Sequence, residues 1–254
     1  MTDWRDHPLC ESRVPWPARF WGPERLDPDA WRELVPLLEP TIEIDALCAA
    51  LVGAKDVIDV GGGTGLITQA IAARVGPVTI VEPSEAQRAH LPKGLTAIAG
   101  HAEALPLPDR SADAAVATWV LQYTDDPGRA VAELARVARD RVVIVQAAPD
   151  NDLVDVYNLE ARVAGAAPAH HGWLLASAAE RLECDGFTVE LQRVPTPVRF
   201  PPGGAAAFAD TLARLHFAGH PRAAAMRAVT EPLLAERAKA GVVSDDGVLL
   251  IARR

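Results

Sequence analysis

The chain has 254 residues, 49% of them hydrophobic and 23% charged, ordinary values for a globular protein with a substantial core. A formal charge of −9, with basic residues scattered rather than clustered, argues against a nucleic-acid surface, and no apolar run approaches the roughly 18 residues of a membrane span. Zinc and serine-hydrolase chemistry lack their signatures, since there is no HExxH, no clustered Cys/His and no GxSxG.

Cys10, Cys48 and Cys184 are widely spaced and in no CxxC pair, so they read as free thiols of a reducing compartment. The opening MTDWRDHPLC holds no apolar segment of signal-peptide length, and a cytoplasmic protein is expected.

The first forty residues stand apart. They hold Pro8, Pro15, Pro17, Pro23, Pro28, Pro36 and Pro40, with four of the six tryptophans: Trp4, Trp16, Trp21 and Trp31. So much proline prevents one long helix, and the tryptophans are too large and apolar to be left in water. The segment is expected to lie over the rest as a lid, a packed layer or a dimer contact, followed by a helix over about 41–52.

An alternation of short runs comes next. DVIDV (56–60) reads as a strand, TGLITQAIAARV as a helix, VTIVE (78–82) as a second strand and SEAQRAHL as a short helix. LTAIAG (95–100) and DAAVATWV (113–120) read as strands three and four. DDPGRAVAELARVAR is a helix with Asp126 as N-cap and Pro127 in the first turn, and RVVIVQA (141–147) is strand five. A helix over about 174–185, a strand over 187–194, Ala-rich helices over 203–240 and a last strand over 247–254 complete the pattern. Strands alternating with helices mean crossover connections and a mostly parallel sheet, in one α/β domain with a helical insertion.

VIDVGGGTGLITQAI (57–71) places four glycines in five positions between a strand and a helix. Such a turn points bare backbone N–H groups at a ligand beside the positive end of the helix. A dinucleotide fingerprint starting at Gly61 needs Gly or Ala at position 66, which is Leu66, and the lysine of a triphosphate-binding loop is absent. Glu82 stands 21 residues after Gly61 at the end of the second strand, where an acidic side chain accepts both hydroxyls of a ribose.

VIDVGGGTG, VTIVEPS and GHAEALPLPDRSADAAVATWVLQYTDDPGRAVAELARVAR, in that order, resemble the successive motifs of class I S-adenosylmethionine-dependent methyltransferases of the small-molecule, ubiquinone/menaquinone-type branch. The resemblance covers about residues 50–148. It implies a Rossmann-like seven-stranded sheet whose last strand is antiparallel. Within one domain, 1–52 is expected as an N-terminal cap segment, 53–148 as the cofactor-binding core and 149–254 as the acceptor-side half, with the leader and the 203–240 insertion as the natural lid. It also implies S-adenosyl-L-methionine as cofactor and methyl transfer to the O, N or C of a small molecule, with no nucleic-acid or membrane partner and a homodimer allowed. The rivals are the same fold recruited for chemistry such as cyclisation, or a non-catalytic cofactor-binding subunit.

Residue by residue, the resemblance sets Gly61, Gly63 and Gly65 against the methionine part of the cofactor and Glu82 on the ribose. Asp59 falls behind the loop, Pro83 near the adenine edge, and Ala102 offers its N–H to the ring. His101 stands where family members usually carry an adenine-binding Asp.

The acceptor pocket belongs outside the carboxyl ends of strands four and five, which nominates Trp119, Gln122, Tyr123 and Gln146. PAHHGWL (168–174) reads as a loop near that pocket, so His170 or His171 is a candidate proton acceptor, with Tyr123 and His216 as further candidates. Asp150-Asn151 reads as the N-cap of the next helix, and no metal site is assigned.

Overall fold

The structure, a computed structural model, describes residues 2–11, 24, 26–168, 171–239 and 243–254. Trp16, Trp21 and His170 lie outside the described residues.

Among the described residues one sheet is built from β1 (Val57–Val60), β2 (Val78–Val81), β3 (Thr96–Ile98), β4 (Ala112–Thr118), β5 (Ala138–Ala147), β6 (Thr188–Val194) and β9 (Gly247–Arg253). A two-stranded ribbon pairs β7 (Pro197–Val198) with β8 (Val243–Ser244). The main sheet runs β3-β2-β1-β4-β5-β9-β6. Neighbours from β3 to β5 are parallel, and β9 lies antiparallel to both β5 and β6. The last strand in the chain is therefore the antiparallel one, slotted in second from the edge.

The central strands are apolar on both faces because both are covered. Period-two alternation sorts their side chains. Ile58, Val60, Ala115, Ala117, Val142, Ile144 and Leu250 pack with Leu134 of α5 (Pro127–Val137) and Leu175 and Leu182 of α7 (His171–Cys184). Val57, Val116, Val143, Val145 and Leu249 face the other way, onto Leu47 of α2 (Thr41–Ala50) and Ile71 of α3 (Leu66–Val75). A third cluster lies apart from the sheet. It joins Leu34 of α1 (Pro28–Leu34), Leu153 and Val156 of α6 (Asp152–Ala164), Phe208 and Leu212 of α8 (Gly204–Phe217) and Leu234 of α9 (Ala223–Lys239).

Local signals placed most boundaries. Asp126 accepts from the Arg129 N–H at 2.9 Å and Pro127 opens α5. Strand five begins earlier than its apolar run, at Ala138, because Arg139 is drawn into the sheet margin by Asp113, 2.8 Å away. The helix expected at about 174 starts at His171. Gly172 is not a breaker there; a Cβ on it would lie 2.4 Å from the Cys10 carbonyl oxygen, so glycine admits the backbone of the leader. Trp4 and Cys10 accordingly belong to the sheet's own core, so this part of the leader is a packed layer.

Glu160 on α6 is fully buried, and neither carboxylate oxygen has a hydrogen-bond partner. Burial pushes its carboxyl up to about 8. A carboxyl whose folded value is raised holds a proton that the unfolded chain releases, so its contribution declines as pH climbs from about 4.5 to about 8. Glu160→Gln is expected to raise the melting temperature by several degrees at pH 8 and little at pH 5, measured by thermal denaturation at both values.

Candidate active site

The glycine loop leaves β1 at the carboxyl edge of the sheet, and its members do different work. Gly61 donates its N–H to the Val81 carbonyl at 2.7 Å and has φ +75°. A Cβ there would come within 2.6 Å of Val120. Gly62 is hemmed in by Asp59 Oδ2 and Ile80, both 2.9 Å from a would-be Cβ. Gly63, at φ +56°, is the open one: a Cβ would meet nothing within 4 Å, so bare main chain faces the cavity.

Gly65 corrects the sequence reading. Its φ of +77° serves the entry to α3, and a Cβ would press on Leu91 and Leu95 at 2.8 and 2.9 Å. It does not line the cavity, whereas Gly61, Gly62, Gly63 and Thr64 do.

Glu82 secures this loop from the end of β2. Its Oε2 accepts from the Gly63 N–H at 3.0 Å and its Oε1 from the Ser84 N–H at 2.9 Å. It is 6% exposed, and each carboxylate oxygen keeps a second lone pair for a ligand. Asp59, buried behind the loop, accepts from the Thr68 hydroxyl at 2.5 Å while its Oδ1 has no partner. Burial pushes its carboxyl up to about 6.

A cavity of about 1270 Å³ extends from this loop into the half built by residues beyond 149. Pro83 and His101 sit exposed on its wall and Ala102 buried on it. Trp119 turns in with φ +58°, a strained value for a bulky residue. Its indole N–H, shared between the oxygens of Glu43 at 3.1 and 3.3 Å, holds it there.

Beyond Trp119 the cavity becomes a chamber of buried polar groups. His171, in the first turn of α7, is 6% exposed, with Nδ1 3.0 Å from Gln146 Oε1 and Nε2 3.5 Å from Glu24 Oε1. On the other side of Glu24 is His216 of α8, 3.8 Å away and set edge-on to Tyr157. Burial lowers His216, opposed by the charge of Glu24. Tyr123 also lines the chamber, but burial pushes its phenol far up, so it stays protonated and is unsuited as a base.

Glu24, Glu43 and Asp245 went unread in the sequence. Glu43 sits in the helix after the leader, which carries no motif, and Asp245 in a turn before the last strand; only the fold brings them together. The Asp-Asn pair resolves into separate tasks. Asn151 caps α6 and donates to Asp245 Oδ1 at 2.9 Å, and Asp150 pairs with Arg193 at 2.5 Å.

Residues 58–145 match the family model described as "Methyltransferase domain". That segment is a methyltransferase domain, and it coincides with the strands and helices that carry the glycine loop and Glu82. The match to one relative, a chloroplastic 2-methyl-6-phytyl-1,4-hydroquinone methyltransferase of Oryza sativa subsp. japonica, is 40% identical over 90 residues, 33% of this chain and 26% of the rice protein. A ubiquinone/menaquinone biosynthesis C-methyltransferase of Hahella chejuensis is 31% identical over 124 residues, 41% of this chain and 50% of that protein. The matched segment thus spans between a quarter and a half of those relatives. In fold, the chain is similar to the YcgJ protein of Bacillus subtilis, with a TM-score of 0.59 and 17% identity over 83% of this chain and 97% of that one.

The loop fits S-adenosylmethionine: open main chain at Gly63, a carboxylate with lone pairs in reserve at Glu82, and no lysine to claim a triphosphate. Losing a charge-assisted hydrogen bond is worth about 1.5–3 kcal/mol. Glu82→Ala is therefore expected to weaken S-adenosylhomocysteine binding by roughly one to two decades in calorimetry, with Gly63→Val losing it through the filled cradle.

Proposed function

We propose that this chain transfers the methyl group of S-adenosylmethionine to a small molecule seated in the chamber beyond Trp119, with His171 accepting the proton that the acceptor gives up. The observation that carries this reading is the continuity of one cavity from the Gly63 cradle to the His171–Glu24 pair. S-adenosylmethionine supplies an activated methyl, so the protein's task is to align, to exclude water and to take a proton.

The residues divide that task. Gly63 and Glu82 would hold the nucleoside end and Asp59 braces the loop behind them. Gln146 fixes His171 by its Nδ1 and so turns Nε2 toward the chamber, where Glu24 stabilises the imidazolium once it forms. Leu26, Trp31 and Leu34 from the described part of the leader supply apolar wall. The relatives named for hydroquinones support a small-molecule acceptor, and the free thiols Cys10, Cys48 and Cys184 support a cytoplasmic setting.

The test is transfer of label from methyl-tritiated S-adenosylmethionine to a small-molecule extract of cells. Label is expected in a product too small to be protein or nucleic acid, and no transfer by folded, cofactor-binding protein would overturn the proposal. His171→Gln is expected to slow that transfer about 10²-fold while leaving S-adenosylhomocysteine affinity within twofold.

A further inference from the structure

We propose that the chamber is a seat for an amine: the acceptor enters as an ammonium held between Glu43, Asp245 and the side-chain oxygen of Gln122. This rests on the methyl-transfer reading and names the class of substrate for it. The first observation is the sign of the walls. Seven carboxylates line the cavity, Glu24, Glu43, Asp59, Glu82, Glu103, Asp125 and Asp245, and among the described residues no lysine or arginine does. Such a space repels anions and draws cations.

The second observation is that, among the described residues, no lysine or arginine pairs with Glu43 or Asp245. Glu43 is 2% exposed and receives the neutral Trp119 indole. Asp245 receives the neutral amide of Asn151. Arg193, which passes this end of the sheet, binds Asp246 and Asp150 instead, at 2.7 and 2.5 Å. Burial pushes Glu43 up to about 7, helped by the charge of Asp245, and Asp245 up to about 6, helped by the charge of Asp246. Buried acids without a counter-ion are costly, and a ligand that brings one removes that cost.

The third observation is independent of charge. Gln122 lines the cavity at 3% exposure with its Oε1 bonded to nothing, an acceptor awaiting an N–H. Trp119, Tyr123 and Tyr157 line the same cavity, and aromatic rings attract cations.

The chemistry agrees with the seat. The ammonium gives one proton to His171; the amine nitrogen then forms the N–CH3 bond with its lone pair as the S–CH3 bond breaks with its pair to sulfur. Positive charge passes from sulfur to nitrogen, which is where Glu43 and Asp245 stabilise it, more in the transition state than before it. A phenol would have to become an anion beside the same carboxylates, which they oppose.

An ammonium could also be the cofactor's own amino group, so the experiment separates the two. Calorimetry on protein saturated with S-adenosylhomocysteine uses 2-phenylethylamine, tyramine and tryptamine, each against its alcohol and its carboxylate. At least one amine is expected to bind 10- to 100-fold tighter than its alcohol, the yield of one charge-assisted contact, with no binding of the carboxylate. Glu43→Gln and Asp245→Asn should each erase that preference and leave S-adenosylhomocysteine affinity within twofold. Folding of both variants is checked by their melting temperatures, expected at or above the parent's once a buried acid is neutralised. Silence from all three amines, equal binding of the alcohols, or a Glu43→Gln variant that loses tenfold in S-adenosylhomocysteine affinity with the amine preference intact would overturn the seat. Failure of the parent protein to bind S-adenosylhomocysteine would instead strike the methyl-transfer reading.

Discussion

The carboxylate of Glu82 holds the glycine loop open. Gly63 has no side chain to lock it, and main chain in the left-handed region relaxes unless its N–H is engaged. One oxygen of Glu82 engages that N–H and the other the N–H of Ser84, so the end of β2 and the turn after β1 are clamped by a single side chain. Asp59 and Thr68 close the same loop from behind. What remains in front is empty space bounded by backbone, and the cavity begins there.

From that clamp inward the molecule accepts unfavourable electrostatics in exchange for a shaped interior. Asp59, Glu43 and Glu160, all buried, and the half-buried Asp245 are acids held above their ordinary range. Three of the four line the cavity, and Glu160 sits on α6, the helix that also supplies Tyr157. A core of valine and leucine would be more stable but would give a ligand nothing to recognise. The strained backbone of Trp119 belongs to the same exchange, since its indole is the group that keeps Glu43 oriented.

Much of the fold was legible because its signals are local. Strand alternation, the Asp126–Pro127 cap and the glycine turn each depend on a few consecutive residues. Gly61, Gly63 and Gly65 look equivalent in the sequence yet differ in what surrounds them, and only Gly65 is turned against Leu91 and Leu95. His171 looked like a loop residue because Pro168 and Gly172 flank it; the glycine is there for a close approach instead. The chamber was half legible. Gln146, His171 and His216 stand out in the sequence as candidates. Glu24, Glu43 and Asp245, from three further segments, do not, since no spacing rule relates residues that only the fold brings to one cavity.

The contact between Gly172 and the carbonyl of Cys10 also couples two distant parts of the chain. Trp4 and Cys10 share one apolar core with Ile58 and Val60 of the strand that feeds the glycine loop and with Leu175 of α7, whose first turn carries His171. A side chain at position 172 would press on backbone rather than on a flexible group, so the relief would have to come from moving the segment around Cys10 or the start of α7. A single glycine thus sets how closely the chamber's histidine can rest against the core it shares with the cofactor side.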